Sequence, residues 1–169
     1  DKIIKFIQEI FKQQGFTKAI VAVSGGIDSA TSLMLAVKAL GKDKVYSLQL
    51  PYKNHLPLDL ANAVIEAAGI PKNQSLAINI GRAADKLAIK LNAKKDKVRL
   101  GNILARVRMI CLFDQAKKLG ALVVGTENKS EKMLGYFTRF GDEASDIEPI
   151  IHLYKTEVIK LTKELGVPE

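Results

Sequence analysis

Tryptophan is absent from these 169 residues, and aromatic side chains make up only 6% of them. Single-stranded nucleic acid is gripped on stacked aromatic faces, so that kind of surface is poorly supplied. Cysteine occurs once, at Cys111. A lone cysteine excludes an internal disulfide framework and a cysteine-rich metal site, and it suits a reducing compartment. His55 and His152 are the two histidines; they are isolated, without metal-ligand spacing, and neither is assigned a role. No apolar run approaches the roughly 20 residues that span a bilayer, and no signal-peptide pattern opens the chain. The chain begins at Asp1 and stops at Val167-Pro168-Glu169, soon after a helical pattern. Both ends read as trimmed ends of a longer protein.

Hydrophobic residues make up 47%, enough to exclude disorder. The length suits a single domain spanning 1–169 with a substantial core. The net charge of +8 fits partners rich in phosphate. Small nucleotides rank ahead of nucleic acid, because the densest basic run, Lys94-Lys95-Asp96-Lys97-Val98-Arg99, reads as a solvated loop.

Apolar, β-branched Ala19-Ile20-Val21-Ala22-Val23 suits a strand buried on both faces. Ala30, Leu33, Met34, Val37 and Leu40 then recur at helical spacing. Ser24-Gly25-Gly26-Ile27-Asp28-Ser29 stands between them. Glycines permit close backbone approach to a ligand, and a helix N-terminus offers free N–H groups to an anion. The loop reads as a phosphate cradle. It has neither the lysine of a GxxxxGK[ST] loop nor the spacing of GxGxxG. The plainer alternative is a tight strand-to-helix turn, with Asp28 or Ser29 capping the helix. The pattern SGGxDS resembles the pyrophosphate loop of the ATP pyrophosphatases, which split ATP into AMP and pyrophosphate. That resemblance implies that Asp28 holds Mg²⁺ beside the phosphates.

Elsewhere, helical spacing predicts helices over 1–14, 58–68, 82–92, 100–119 and 155–165. Strands are expected at 18–23, 45–50, 74–80 and 121–124. Strands alternating with helices argue for an α/β fold with a doubly wound, Rossmann-like parallel sheet flanked by helices. Ligands of such sheets bind beyond the carboxyl ends of the strands, near a switch in strand order. Both 24–29 and 125–131 follow strands directly, so both fall on that edge. Glu127 and Glu131 share a face if this second stretch is helical. On the long helix, Leu100, Ile103, Leu104, Val107, Ile110 and Cys111 form an apolar stripe, with Arg106 and Arg108 at its borders.

Four segments in order raise the specificity: GNILARVRM at 101–109, GTENKSE at 125–131, GYFTRFGD at 135–142, and Asp146-Ile147-Glu148-Pro149-Ile150 leading to Leu153-Tyr154-Lys155. With the SGGIDS loop they resemble the ammonia-dependent NAD synthetases, from Phe6 to Pro168. The resemblance implies an adenine nucleotide alpha hydrolase-like fold and a cytoplasmic homodimer. It also implies amidation of nicotinate adenine dinucleotide (deamido-NAD) by ammonia, with ATP as co-substrate and Mg²⁺ as cofactor. By similarity, Ala22, Val23, Ser24, Gly25, Gly26, Ile27, Asp28, Ser29, Thr126 and Lys155 contact ATP. Arg106, Arg139 and Asp146 contact deamido-NAD, and Asp28 and Glu131 hold the metal. No nucleophile or general base is assigned, no nucleic acid or membrane partner is expected, and glutamine-dependent relatives carry a separate amidase domain. Gln49 departs from the arginine of several relatives. Other ATP pyrophosphatase ligases, GMP synthetase-like or tRNA-modifying, are the nearest alternative. A non-catalytic nucleotide- or RNA-binding module stands further off.

Overall fold

The computed structural model describes residues 1–53 and 58–167, the side chain of Leu58 excepted; His55 and Pro168 lie outside the described residues. The helices are α1 (Lys2–Gln14), α2 (Ile27–Leu40), α3 (Leu58–Ala67), α4 (Gly81–Lys90), α5 (Lys97–Leu119), α6 (Lys129–Leu134) and α7 (Lys155–Glu164). The strands are β1 (Lys18–Ala22), β2 (Val45–Gln49), β3 (Ser75–Ala77) and β4 (Ala121–Val124). All pairs are parallel, in the order β3-β2-β1-β4. The chain therefore builds outward from β1 through β2 to β3, then returns to lay β4 on the other side of β1. That reversal is the expected switch in strand order, and it lies between β1 and β4.

Alternation along the central strands divides the core in two. Ala19 and Val21 of β1, with Leu122 and Val124 of β4, pack with Ile7, Phe11, Leu33 and Val158 from α1, α2 and α7. Ile20, Leu48, Ala121 and Val123 face the other way, onto Ala84, Ile103, Val107 and Leu112 of α4 and α5. A period of two places successive side chains on opposite faces, which produces the helix–sheet–helix layering.

Four expectations are corrected. The third strand is shorter than 74–80, because Asn79 Oδ1 accepts from Gly81 N (2.8 Å) and turns the chain into α4. The long helix starts three residues before Leu100: Asp96 accepts from Val98 N and Arg99 N, drawing part of the lysine-rich run into its first turn. Ile110 is 61% exposed and leaves the apolar stripe, whose buried line continues through Leu112 and Ala116 instead. Neither Asp28 nor Ser29 caps α2, since the helix begins at Ile27 with Gly26 as its N-cap.

Candidate active site

The loop after β1 is knitted by its own serines. Ser29 is buried and donates to Gly26 O (2.9 Å), while Ser24 N donates to Ser29 Oγ (3.2 Å). The Ser24 hydroxyl accepts from Gly26 N (3.3 Å). Gly25 sits at φ 84°, a left-handed conformation costly for other residues. The 14-residue helix α2 follows at once, adding its dipole to the cradle.

The loop after β4 meets it. Asn128 is buried and heads α6 in a capping box: its side chain accepts from Glu131 N, and Glu131 Oε2 accepts from Asn128 N. The Asn128 amide also donates to Asp28 Oδ1 (3.1 Å). Asp28 Oδ2 forms an ion pair with Lys155 Nζ. Lys155 stands at the first position of α7, where its backbone N donates to Ser130 Oγ (3.1 Å). A cation is misplaced at a helix N-terminus; here the Asp28 carboxylate compensates. One aspartate thus joins three segments that are far apart in sequence.

Two cavities open on this edge. The smaller, about 160 Å³, is bordered by Ser24, Gly26, Asp28, Ser29, Thr126, Glu127, Glu131, Asp142 and Glu143. The larger, about 640 Å³, runs between the sheet edge and α5. Ala22, Val23, Ser24, Ser29 and Thr126 border it, with Leu48, Leu50, Arg108, Leu112 and Thr138. Gly25 and Ile27 border neither; they line an apolar hollow against α3 and α7. Arg106 and Arg139 are exposed and adjacent, Arg106 Nε donating to Arg139 O (3.2 Å). The Asp146 carboxylate accepts from Val123 N (2.7 Å) in β4. Gln49 is buried and donates to Asn62 Oδ1 (2.8 Å).

Three carboxyl groups here, Glu127, Glu131 and Glu148, are shifted by their surroundings. Burial raises the Glu131 pKa, against the bond from Asn128, and the nearby Asp28 adds to the rise. Burial also raises that of Glu127, whose Oε1 has no hydrogen-bond partner among the described residues. Glu148 is pushed up to about 7, again chiefly by burial. It accepts from Ser145 Oγ (2.7 Å) and Glu127 N (3.1 Å). A Cβ on Gly125 would collide with the Glu148 carboxylate, so only glycine allows β4 to end so close to it. Desolvation lowers the Arg108 pKa, opposed by Asp142.

Sequence reasoning missed Asn128, although Asn-x-x-Glu before Lys129–Leu134 is a readable capping-box pattern. Glu127 precedes the α6 N-cap, so the helical condition for a face shared with Glu131 is not met, and the two instead border the same small cavity. No local pattern announced Glu148 or the seat of Arg108. Asp28 and Glu131 border one small cavity beside the phosphate loop, and no cluster of three metal-binding side chains exists among the described residues. Two carboxylates with room for phosphate oxygens and water fit Mg²⁺, which takes few protein ligands.

The sequence model of the family described as NAD synthase matches residues 1–169. The NH(3)-dependent NAD(+) synthetase of Pyrococcus horikoshii is 46% identical over 169 residues, covering 100% of this chain and 65% of that protein. The chain thus spans just under two thirds of that relative's length. Among solved structures, the NH3-dependent NAD synthetase of Campylobacter jejuni superposes with a TM-score of 0.90 at 36% identity. That match covers 98% of this chain and 71% of the other. An NMN synthetase from Francisella tularensis superposes with a TM-score of 0.89 at 34% identity, covering 99% and 69%.

Proposed function

We propose a function from one premise: this chain belongs to the NAD synthase family. The reaction is ATP-dependent amidation of deamido-NAD by ammonia, giving NAD, AMP and pyrophosphate. The observation that carries the reading is the junction at Asp28, which ties the phosphate loop to Asn128 and Lys155 at the switch between β1 and β4.

A free carboxylate is a poor acyl donor. In the first step a nicotinate carboxylate oxygen bonds to the α-phosphorus of ATP, and the α–β bridge breaks as pyrophosphate leaves with its electron pair. In the second step ammonia attacks the activated carbonyl, AMP leaves, and a proton is lost. The Ser24 and Ser29 hydroxyls, at the N-terminus of α2, hold phosphate oxygens, and Lys155 offsets their charge. Thr126 reaches the same nucleotide from the end of β4. Asp28 and Glu131 would hold Mg²⁺, which when bound neutralises charge developing on phosphate oxygens. Arg106, Arg139 and Asp146 engage deamido-NAD at the outer rim. Segment 125–146 shields the adenylate from water. Residues 1–169 belong to the catalytic domain, and the enzyme works as a homodimer.

The Francisella tularensis neighbour favours a second reading, in which the same site amidates the corresponding mononucleotide. The deciding experiment incubates the protein with ATP, Mg²⁺ and ammonium, and with deamido-NAD or nicotinate mononucleotide in separate arms. The expected products are AMP, pyrophosphate and NAD in the dinucleotide arm. ADP and orthophosphate would overturn the assignment; turnover confined to the mononucleotide would select the second reading.

A further inference from the structure

Adenylation brings two anions together, the substrate carboxylate and the α-phosphate. The phosphates have counter-charges of their own in the α2 dipole and Lys155. The carboxylate needs a cation of its own inside the cavity. Among the described residues, only Lys97 and Arg108 line the 640 Å³ space with positive charge. Lys97 is exposed in the first turn of α5. Arg108 lies eleven positions further along the helix, about 16 Å at 1.5 Å per residue, and is partly buried.

Its guanidinium is oriented by the sheet. Nε donates to Leu50 O (3.1 Å), immediately beyond the carboxyl end of β2. The two Nη groups make no hydrogen bond among the described residues. Asp142, the carboxylate that offsets its charge, lines the same cavity and is itself engaged by Thr138 N (2.9 Å). A planar fork with one edge fixed and the other open matches a carboxylate bidentately. As a border residue of the α5 stripe, Arg108 would merely shield apolar surface, and the open Nη groups would then have no use.

We propose that Arg108 binds the carboxylate that is adenylated, holding it against the α-phosphate and distinguishing the acid substrate from its amide product. This rests on the amidation reading given above. Deamido-NAD and NAD differ only by carboxylate against carboxamide, so their binding ratio reports this contact without turnover.

The test measures both dissociation constants by calorimetry, with a non-hydrolysable ATP analogue present, for the wild type, Arg108→Lys and Arg108→Met. Deamido-NAD-dependent exchange of labelled pyrophosphate into ATP is followed in parallel. In the wild type the acid should bind more tightly than the amide. Arg108→Met should weaken the acid by about ten- to a hundredfold, as loss of a charge-assisted contact does, and leave NAD and the ATP analogue unchanged. Arg108→Lys, which keeps the charge and loses the fork, should fall between them. Exchange should drop in the same order. An unchanged acid-to-amide ratio in a folded variant overturns the proposal, as does an equal loss for the ATP analogue. A wild type that neither binds deamido-NAD nor catalyses exchange overturns the amidation reading itself, an outcome separate from failure of the variants alone.

Discussion

Removing the charge of Glu148 should make this protein more stable at alkaline pH. Burial dominates the pKa of this carboxyl and raises it from 4.5 to about 7, with Glu127 adding to the rise. The bonds from Ser145 and Glu127 N, and the charge of Lys132, oppose the rise without cancelling it. A folded-state pKa above the unfolded one means that the native chain binds the extra proton. The contribution is fully present below pH 4.5, is lost as pH rises through about 7, and is flat beyond. Its size is about 3 kcal/mol, at roughly 1.4 kcal/mol per pH unit of displacement. Glu148→Gln keeps the shape and an acceptor oxygen for Glu127 N, and the Ser145 hydroxyl can turn to accept from the new amide. Other carboxyl groups titrate as well, so the informative quantity is the difference between variant and wild type. Urea unfolding across pH 4.5–8.5 should show that difference growing with pH in favour of the variant. At about 2–4 °C per kcal/mol for a chain of this size, Tm at pH 8 should rise by about 6–12 °C. A variant less stable than wild type at pH 8, with an unchanged pH slope, would mean that the two donors outweigh burial, and the reasoning would fail.

Asp28→Asn and Glu131→Gln should each lower turnover by orders of magnitude while the fold persists, since electrostatic stabilisation by a bound metal is worth several kcal/mol. Turnover near normal in either folded variant removes that residue from the metal site. Arg106→Ala should raise KM for deamido-NAD by about ten- to a hundredfold and leave KM for ATP unaltered. A lower Tm with both KM values unchanged would reduce Arg106 to its bond with Arg139 O.

Much of the architecture could be read locally. Apolar runs such as Ala19–Val23 and Ala121–Val124 are short, bounded by turn residues and followed by helical spacing, so element type and the parallel class follow from periodicity alone. Boundaries were less legible where one side chain decides them. Asp96 moved the start of α5, and Asn79 ended the extended run after β3. Glu127 and Glu131 illustrate the same limit: a spacing of four implies a shared face only inside a helix, and Asn128 starts α6 between them.

Chain order alone determined that a glycine-rich, serine-flanked loop stands between an apolar run and a helical pattern, and that a second polar segment follows another apolar run. Those are consequences of backbone freedom and side-chain period, which act over a few residues. The tertiary structure decided the rest. Strand order β3-β2-β1-β4 sets the two loops side by side. The fold brings Lys155 to Asp28 across 127 positions, turns Arg108 onto Leu50 O, and presses Glu148 against Gly125. Each of these depends on which surfaces meet when the sheet and helices pack. Burial and the fields of neighbouring charges, which set the protonation of Glu148 and the use of Arg108, arise only from that packing.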